Sequence, residues 1–536
     1  MNAVSRMERG QRLVQALTRA EAYQHPIAAI RVVETHCAWV LLTGEFAYKI
    51  KKPVDFGFLD FSTLEKRKFF CQEEVRLNRR FAADIYLDVV AVTGELAEAK
   101  MAASGPVLEY AVRMRQFEDD GLLSQLAERK RLTDSHIDQM IDQVAEFHDA
   151  AARASADAPY GNPDRIHHWV TENFQHVRPC LSSSGRIAQL DRIERGVEEE
   201  RRSAESLLPQ RKQHGFIREC HGDLHLGNIT LIDGRVTLFD CIEFNAELRW
   251  IDVFSDVAFL VMDLEDRGYR HFAFRFLNGY LHRGGDYRGL GVLRYYLVYR
   301  ALVRAKVAML RRQQAGRDSE TFKLADSEYA QYARLAEHYL APRQPLLMIT
   351  CGLSGSGKST IARQLCEGCG MIQIRSDVER KRMSGLQAAD NSRSALGGGL
   401  YSPDQTEKTY RRLAELAGAA LQAGYPVIVD ATFLQRRYRD LFKGLAQQRG
   451  VPFTILHCVA SDDELERRIR ARQMEGSDAS EADLAVLASQ RSSQEALAAD
   501  EKPRVVTLDA DTLNEADAAW WQNVCSGATN PPGRDV

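Results

Sequence analysis

The chain has 536 residues, 45% of them hydrophobic and 27% charged, which excludes a collagen-like, coiled-coil or largely disordered protein. At roughly 150 residues per domain it holds about three to four folding units. With 71 Lys and Arg against 74 Asp and Glu the net charge is −3, which argues against a whole-chain polyanion binder and leaves room for a local basic groove.

No run of 18 uncharged apolar residues occurs, so no membrane-spanning helix is expected. The opening MNAVSRMERGQRLVQAL lacks the apolar core and small-residue cleavage site of a secretory signal. The chain therefore reads as cytoplasmic, and its ten cysteines as reduced and mostly buried. Cys366 and Cys369 have C-x-x-C spacing without a second matching pair, so packing at a helix end is the better reading than a metal or redox site.

In chain order, residues 38–42 are strand-like and lead through Thr43-Gly44 into an alternating run at 45–51. A charged helix at 64–81 follows, then strand-like runs at 85–92 and 107–117. Over 134–152 the apolar residues recur at spacings of three and four, the mark of an amphipathic helix. Strands first and helices later predict a two-lobed α+β unit.

The first strong motif is His221-Gly222-Asp223-Leu224-His225-Leu226-Gly227-Asn228. Asp223 and Asn228 have the spacing of the protein-kinase catalytic loop, H-R-D-x-x-x-x-N. Residues 229–232 and 235–239 alternate about Asp233-Gly234, a favoured two-residue hairpin turn. That hairpin brings Asp240 near Asn228, where two oxygen ligands can hold Mg²⁺ while Asp223 orients or deprotonates an acceptor hydroxyl. A plain hairpin with capped turns is the competing reading; the joint spacing favours the first. His221 reads as a structural hydrogen-bonding residue, and His225 as one that could face the acceptor.

Helical patterns at 293–315 and 324–340 end at Ala341-Pro342-Arg343-Gln344-Pro345. Two prolines in four residues favour an extended linker. The expected organisation is a first domain over 1–341, a linker at 342–345, a second domain over 346–525 and a disordered Pro/Gly-rich tail at 526–536.

The second strong motif, Gly352-Leu353-Ser354-Gly355-Ser356-Gly357-Lys358-Ser359, matches G-x-x-x-x-G-K-[ST] without a mismatch. It stands between an apolar strand-like run at 346–350 and a helical start at Thr360. The glycines let backbone N–H groups approach phosphate oxygens, and the helix start at Ser359-Thr360 adds partial positive charge. Lys358 is expected to reach the β- and γ-phosphates of ATP, and the Ser359 hydroxyl to ligate Mg²⁺.

Residues 371–374 form a strand-like run ending at Arg375-Ser376-Asp377, with Arg380 beyond. A carboxylate at a strand's C-terminal end faces the ligand crevice of an open α/β sheet. Asp377 is thus a candidate to orient or deprotonate an acceptor, and Arg380 to hold it or a nearby phosphate; a helix-capping Asp is the plain alternative. The apolar run 427–430 ends in Asp430, a Walker-B arrangement near the metal. In the Arg-dense helix 465–472, Arg468 and Arg472 share a face. They are candidates for a lid over transferring phosphate, against a solvated charged helix.

Residues 346–525 resemble P-loop kinases of small molecules and nucleic-acid ends, such as gluconate and shikimate kinases, polynucleotide 5′-kinases and zeta toxins. HGDLHLGN, followed by FD and RWIDVFSDVAFL, resembles the aminoglycoside phosphotransferase superfamily. YKIKKPVDFGFLDFSTLEKRKFFCQEEVRLNRR resembles a bacterial family that fuses such a kinase to a P-loop domain, over nearly the whole chain. The resemblance implies an α+β two-lobed protein-kinase-like domain followed by an α/β P-loop domain with a parallel sheet. It also implies ATP and Mg²⁺ as cofactors and an unidentified small-molecule acceptor.

By that resemblance the ATP-holding lysine lies in Tyr48-Lys49-Ile50-Lys51; both lysines share one strand face, and Lys49 is favoured. Its ion-pair partner is Glu74 in preference to Glu73, and the adenine hinge lies near Arg115-Gln116-Phe117. Asp252 and Asp256 match the acidic positions that stabilise the catalytic loop. The sequence also departs from the pattern. Only Gly44 stands where a Gly-rich loop would, and Cys241-Ile242 follows Asp240. Glu243, Glu247, Asp263 and Glu265 are candidates for an acidic acceptor site, but no cluster suited to an aminoglycoside stands out. The expected function is a two-module ATP-dependent phosphotransferase. One alternative makes one half a nucleotide sensor. The other is a nucleic-acid 5′-hydroxyl kinase using Arg375, Arg380, Lys381 and Arg382.

Overall fold

The computed structural model describes residues 3–27, 29–57, 59–316, 319–387, 390, 400, 402–475, 480 and 482–509. The expected second domain beyond residue 509 and the expected tail lie outside the described residues. The chain forms two compact units. One comprises the residues up to His168 with Leu208–Asp263; the other comprises Trp169–Leu207 with the residues from Leu264 on.

The first unit is built on a six-stranded antiparallel sheet. Its strands are β1 (Arg31–Glu34), β2 (Ala38–Leu42), β3 (Phe46–Lys51), β4 (Tyr86–Thr93), β5 (Lys100–Met101) and β6 (Val107–Arg115), in the order β1-β2-β3-β6-β4-β5. Alternation decides which side chains go inward. Trp39, Leu41, Tyr48, Ile50, Val92 and Ala111 meet Leu13 and Val14 of the Ala3–Ala16 helix in one core. Cys71 and Val75 of the Leu64–Ala82 helix pack with Tyr86 and Val112 in another. Thr63 caps that helix by accepting from the Lys66 N–H. The sequence patterns did not reveal β1 or the Ala3–Ala16 helix.

The short strands β7 (Ile217–Glu219) and β10 (Trp250–Asp252) pair antiparallel. Between them runs the hairpin of β8 (Ile229–Ile232) and β9 (Arg235–Leu238). Asp233 and Gly234 both take positive φ, as a two-residue hairpin turn of the primed type requires. The Val253–Asp266 helix follows, its residues through Leu264 largely buried.

The second unit contains a five-stranded parallel sheet. Its strands are β11 (Leu347–Cys351), β12 (Ile372–Arg375), β13 (Val427–Asp430), β14 (Phe453–Val459) and β15 (Val505–Asp509), in the order β12-β13-β11-β14-β15. β11 and β13 are buried throughout, as expected for strands covered on both faces. The fold class is therefore an α+β kinase-like part followed by an α/β P-loop part. The long Leu290–Gln314 and Glu320–Tyr339 helices pack against each other in this unit. One expectation is corrected here. Eight described cysteines are free, but Cys369 is disulfide-bonded. Cys366 is a buried free thiol, so the C-x-x-C pair is not itself bonded.

Candidate active sites

In the first unit the period-two geometry of β3 turns Lys49 and Lys51 to one face, and Glu74 of the Leu64–Ala82 helix stands between them. Lys49 Nζ lies 2.8 Å from Glu74 Oε1 and 2.5 Å from Asp240 Oδ1. Lys51 Nζ lies 2.6 Å from Glu74 Oε2 and also pairs with Glu243. The side chains of Lys51 and Glu74 are 1% and 0% exposed, whereas Lys49 and Asp240 are 13% and 39% exposed. The Lys49–Asp240 end of this array thus reaches solvent and the Lys51 end is closed. Burial alone would push the Lys49 pKa down; Asp240 and Glu74 outweigh it and hold the group well above its usual value. Burial likewise opposes ionisation of Glu74, but Lys49 and Lys51 keep its carboxyl below the usual range. For Glu243 burial wins, and its pKa is raised despite Lys51.

The Asp223 loop is pinned by carboxylates of the Val253–Asp266 helix. Asp256 accepts from the N–H groups of His221 at 2.7 Å and Gly222 at 2.9 Å. Asp263, seven residues on, accepts from the Leu226 N–H at 2.9 Å. Asn228 Nδ2 donates to the Asp223 carboxylate and to its carbonyl, both at 2.9 Å. His225 Nε2 lies 3.4 Å from Asp223 Oδ2. The Phe239 N–H donates to the Asn228 carbonyl at 3.0 Å, which closes the hairpin below Asp240. Asp240 itself has φ 63°, and its N–H donates to the Tyr86 hydroxyl at 3.0 Å. His221 is fully buried, with Nε2 2.8 Å from the Phe239 carbonyl. Burial lowers its pKa, which fits a neutral structural residue.

Other sequence-derived candidates have different partners from those expected. Asp252 pairs with Arg211 at 2.5 and 2.8 Å and accepts from the Phe254 N–H, so of the two acidic positions Asp256 is the one bonded to the loop. The acidic candidates for an acceptor site are each committed within the protein. Glu243 and Asp263 hold Lys51 and the loop, Glu247 pairs with Arg165, and Glu265 accepts from the Tyr339 hydroxyl. Near the expected adenine hinge, Gln116 Oε1 accepts from the Gly44 N–H at 2.9 Å, which ties that turn to the end of β6.

In the second unit a cavity of about 700 Å³ collects Ser354, Gly355, Gly357, Lys358, Ser359, Thr360, Asp377, Arg380, Asp430, Arg468 and Arg472. These residues come from the P-loop and the Lys358–Cys369 helix it leads into, the Ser376–Met383 helix after β12, the C-terminal end of β13 and the Asp462–Glu475 helix. Gly352 and Ser356 stand behind the loop. A Cβ at Gly352 would come within 2.3 Å of the Cys458 carbonyl, and the Ser356 side chain is buried. Gly355 and Gly357 have φ of 86° and 80°, the left-handed region that favours glycine. Lys358 Nζ donates to the Leu353 carbonyl at 2.6 Å, and among the described residues no carboxylate lies within salt-bridge distance of it. Burial lowers its pKa.

The Ser359 hydroxyl faces the same cavity as Asp430 and lies near enough to favour its ionised form. Burial raises the Asp430 pKa, against the pull of Arg375, Ser359 and Lys358. Arg468 donates to the Gly355 carbonyl at 3.4 Å and Arg472 to the Ala482 carbonyl at 2.8 Å. The Arg-dense helix therefore turns these two guanidinium groups to the cavity. Sequence reasoning did not single out Gln373, which donates to Asp430 Oδ2 at 3.1 Å, or Tyr410 and Gln490, which line the same cavity. A lone glutamine inside an apolar strand was the available signal.

Comparison with known proteins agrees with this layout. Residues 71–296 match the phosphotransferase enzyme family and residues 347–497 match an AAA domain family. The chain thus carries two kinase-type domains of the phosphotransferase class. It is 32% identical over 470 residues to an uncharacterized protein of Mycobacterium tuberculosis strain H37Rv, covering 87% of this chain and 92% of that one. It belongs to the family of that mycobacterial protein, in which an aminoglycoside phosphotransferase-like domain precedes a P-loop kinase domain. Among solved structures, a choline/ethanolamine kinase family protein of Mesorhizobium loti is similar over 62% of this chain and 98% of its own, at 11% identity and TM-score 0.38. A gluconokinase of Sinorhizobium meliloti is similar over 35% and 93%, at 21% identity and TM-score 0.24.

Proposed function

We propose that the protein is a two-site ATP-dependent phosphotransferase. The first site transfers the γ-phosphoryl group of ATP to a hydroxyl of a small molecule. The second phosphorylates another acceptor, a small molecule or a nucleic-acid end. The observation that supports this best is a shared convergence: each site sets a lysine and an acidic metal-type ligand around one opening, Lys49 with Asp240 and Lys358 with the Ser359–Asp430 pair.

The donor sets suit Mg²⁺, a hard cation that takes oxygen ligands. At the second site these are the Ser359 hydroxyl and Asp430. At the first, the Asn228 nitrogen is engaged by Asp223, so its Oδ1 is the atom left for a cation beside Asp240. Mg²⁺ would neutralise charge on the transferred phosphate. Around it, Lys49 and Lys358 hold phosphate oxygens and Asp223 and Asp377 orient the acceptor hydroxyl. Arg380 holds the acceptor, while Arg468 and Arg472 close on the phosphate. Glu74 acts one step removed, by holding Lys49.

The test is ATP turnover against a panel of metabolites and a 5′-hydroxyl oligonucleotide, with wild type, Asp223→Ala and Lys358→Ala side by side. Each variant is expected to lose one phosphorylated product by about 10²–10⁴-fold and to keep the other. Turnover that survives both substitutions would refute the assignment. ATP binding at the first site without any product there would make that half a nucleotide sensor.

A further inference from the structure

β12 is the outer strand of the parallel sheet, and one side of an outer strand exposes unpaired N–H and C=O groups. Here that side is buried: Met371 and Ile372 are fully covered and Gln373 nearly so. β13 occupies the inner side. On the outer side Asn278, from the Arg270–Gly284 helix, takes the place of a sixth strand. Its Oδ1 accepts from the Gln373 N–H at 2.7 Å and its Nδ2 donates to the Met371 carbonyl at 3.0 Å. The Gln373 carbonyl accepts from the Tyr287 hydroxyl at 3.2 Å and lies 3.3 Å from His282 Nε2. Both backbone groups of Gln373 are thus fixed from residues 278–287, which precede the proline-rich junction by more than 50 positions.

The side chain of Gln373 points the other way in function. Its Nε2 donates to Asp430 Oδ2 at 3.1 Å, and both side chains are buried. Ser359 lines the same cavity beside this carboxylate. A neutral amide donor fixes the rotation of a carboxylate without cancelling its charge. It therefore orients Asp430 without adding to the counter-charge that Arg375 Nε already supplies at 3.8 Å.

We propose that Gln373 is a positioning residue for the Asp430 carboxylate. Asn278, by clamping the Gln373 backbone, makes the helix before the junction a working part of the P-loop site. This rests on reading Asp430 as the metal-side acid of an ATP site.

The test follows hydrogen exchange of the segment 352–361 in the full chain during ATP titration, with and without Mg²⁺, which reads the second site alone. In wild type, Mg²⁺ is expected to tighten the ATP dependence of protection. Gln373→Leu and Asn278→Leu are expected to reduce that Mg²⁺-dependent tightening by about 10-fold or more, and to leave the Mg²⁺-free ATP dependence within about two-fold. Variants that keep the wild-type Mg²⁺ effect would overturn the proposal, even if their melting temperatures fell. Should Asn278→Leu fail to fold, Gln373→Leu decides alone, since it keeps every backbone contact. If wild type shows no ATP protection of 352–361 under either condition, the nucleotide-site reading falls, and this inference with it.

Discussion

The two candidate sites hold their lysines in opposite electrostatic settings. Lys49 sits among carboxylates, and Asp240 and Glu74 hold its pKa well above the usual value in spite of burial. Lys358 meets a backbone carbonyl, and burial holds its pKa below the usual value. The first cation is neutralised before any ligand arrives; a phosphate there must share it with Asp240. The second is a buried charge without a formal partner, so an arriving phosphate supplies the missing counter-charge. On the proposed assignment the first arrangement lends itself to exchange, with Asp240 turning from Lys49 to the metal as the phosphates take the lysine. The second lends itself to affinity, because it is stabilised mainly by its ligand. The same residue type thus contributes to fold stability in one site and burdens it in the other.

Stability measurements can break this contrast. Lys51→Met is expected to cost most, about 3–5 kcal/mol, because it leaves Glu74 and Glu243 buried without their shared cation. Lys49→Met is expected to cost less, since Asp240 is partly exposed and can be hydrated. Lys358→Met is expected to change stability by less than about 1 kcal/mol or to raise it, while removing nucleotide binding. Urea unfolding of the three variants in the absence of nucleotide checks the order. A Lys358→Met variant as destabilised as Lys51→Met would end the comparison.

The two sites agree in one respect, which sharpens where they differ. Each motif loop presses a glycine against a backbone carbonyl. A Cβ at Gly222 would lie 2.7 Å from the Leu248 carbonyl, and one at Gly355 would lie 2.8 Å from the Leu465 carbonyl. Both have φ of 86°. Gly222→Ala and Gly355→Ala are each expected to cost roughly 1–3 kcal/mol in strain. Their consequences for ligand should diverge. The Asp223 loop is also tied down by Asp256 and Asp263, so Gly222→Ala should retain ATP binding at its site. On the proposed assignment the P-loop offers its own backbone N–H groups to the phosphates, so Gly355→Ala should weaken ATP binding there by about 10-fold or more. Calorimetric ATP titration of each variant reads the difference.

What the sequence reveals follows from how local each device is. The Asp223–Asn228 spacing, the Asp233-Gly234 turn and the run from Gly352 to Ser359 are all set by neighbouring residues, and each forms as the pattern predicts. The acids at strand ends are legible for the same reason, because a short apolar run followed by Asp fixes both strand and edge. Choosing between Lys49 and Lys51 is beyond a period-two pattern, since it turns on Glu74 lying between them and on Glu243 closing one end. As sequence, Asp263 and Glu243 read only as candidates for an acidic acceptor site; the contacts they make span 37 and 192 positions. Asn278 and Gln373 are harder still, because a side chain that completes a strand edge from 95 positions away leaves no periodicity behind.

The last difference concerns how the second site's strand edge is held. Its clamp is made of neutral groups, whereas the first site's contacts are made of paired charges. His282 belongs to that clamp, and burial together with the nearby Arg375 charge pushes its pKa from 6.5 down to about 3. The unfolded chain therefore binds a proton at this residue below about pH 6.5 that the folded chain refuses until about pH 3. Stability from this group is complete above the unfolded value. As pH falls through the window between the two values, it declines by about 1.4 kcal/mol per pH unit. Glu74 has the opposite exposure to acid, since Lys49 and Lys51 keep its carboxyl ionised below the usual range, whereas the pKa of Glu243 in the same array is raised by burial. Between pH 7 and pH 5, the unfolding transition that reports on the P-loop unit should thus weaken, while the Lys49 unit carries a loss of its own from His221, whose pKa is also lowered by burial. His282→Gln, which keeps a neutral donor beside the Gln373 carbonyl, should reduce the pH slope of the P-loop unit alone. Thermal unfolding at the two pH values, in wild type and variant, measures it. An unchanged pH slope in His282→Gln would show that the strand edge does not depend on a neutral imidazole.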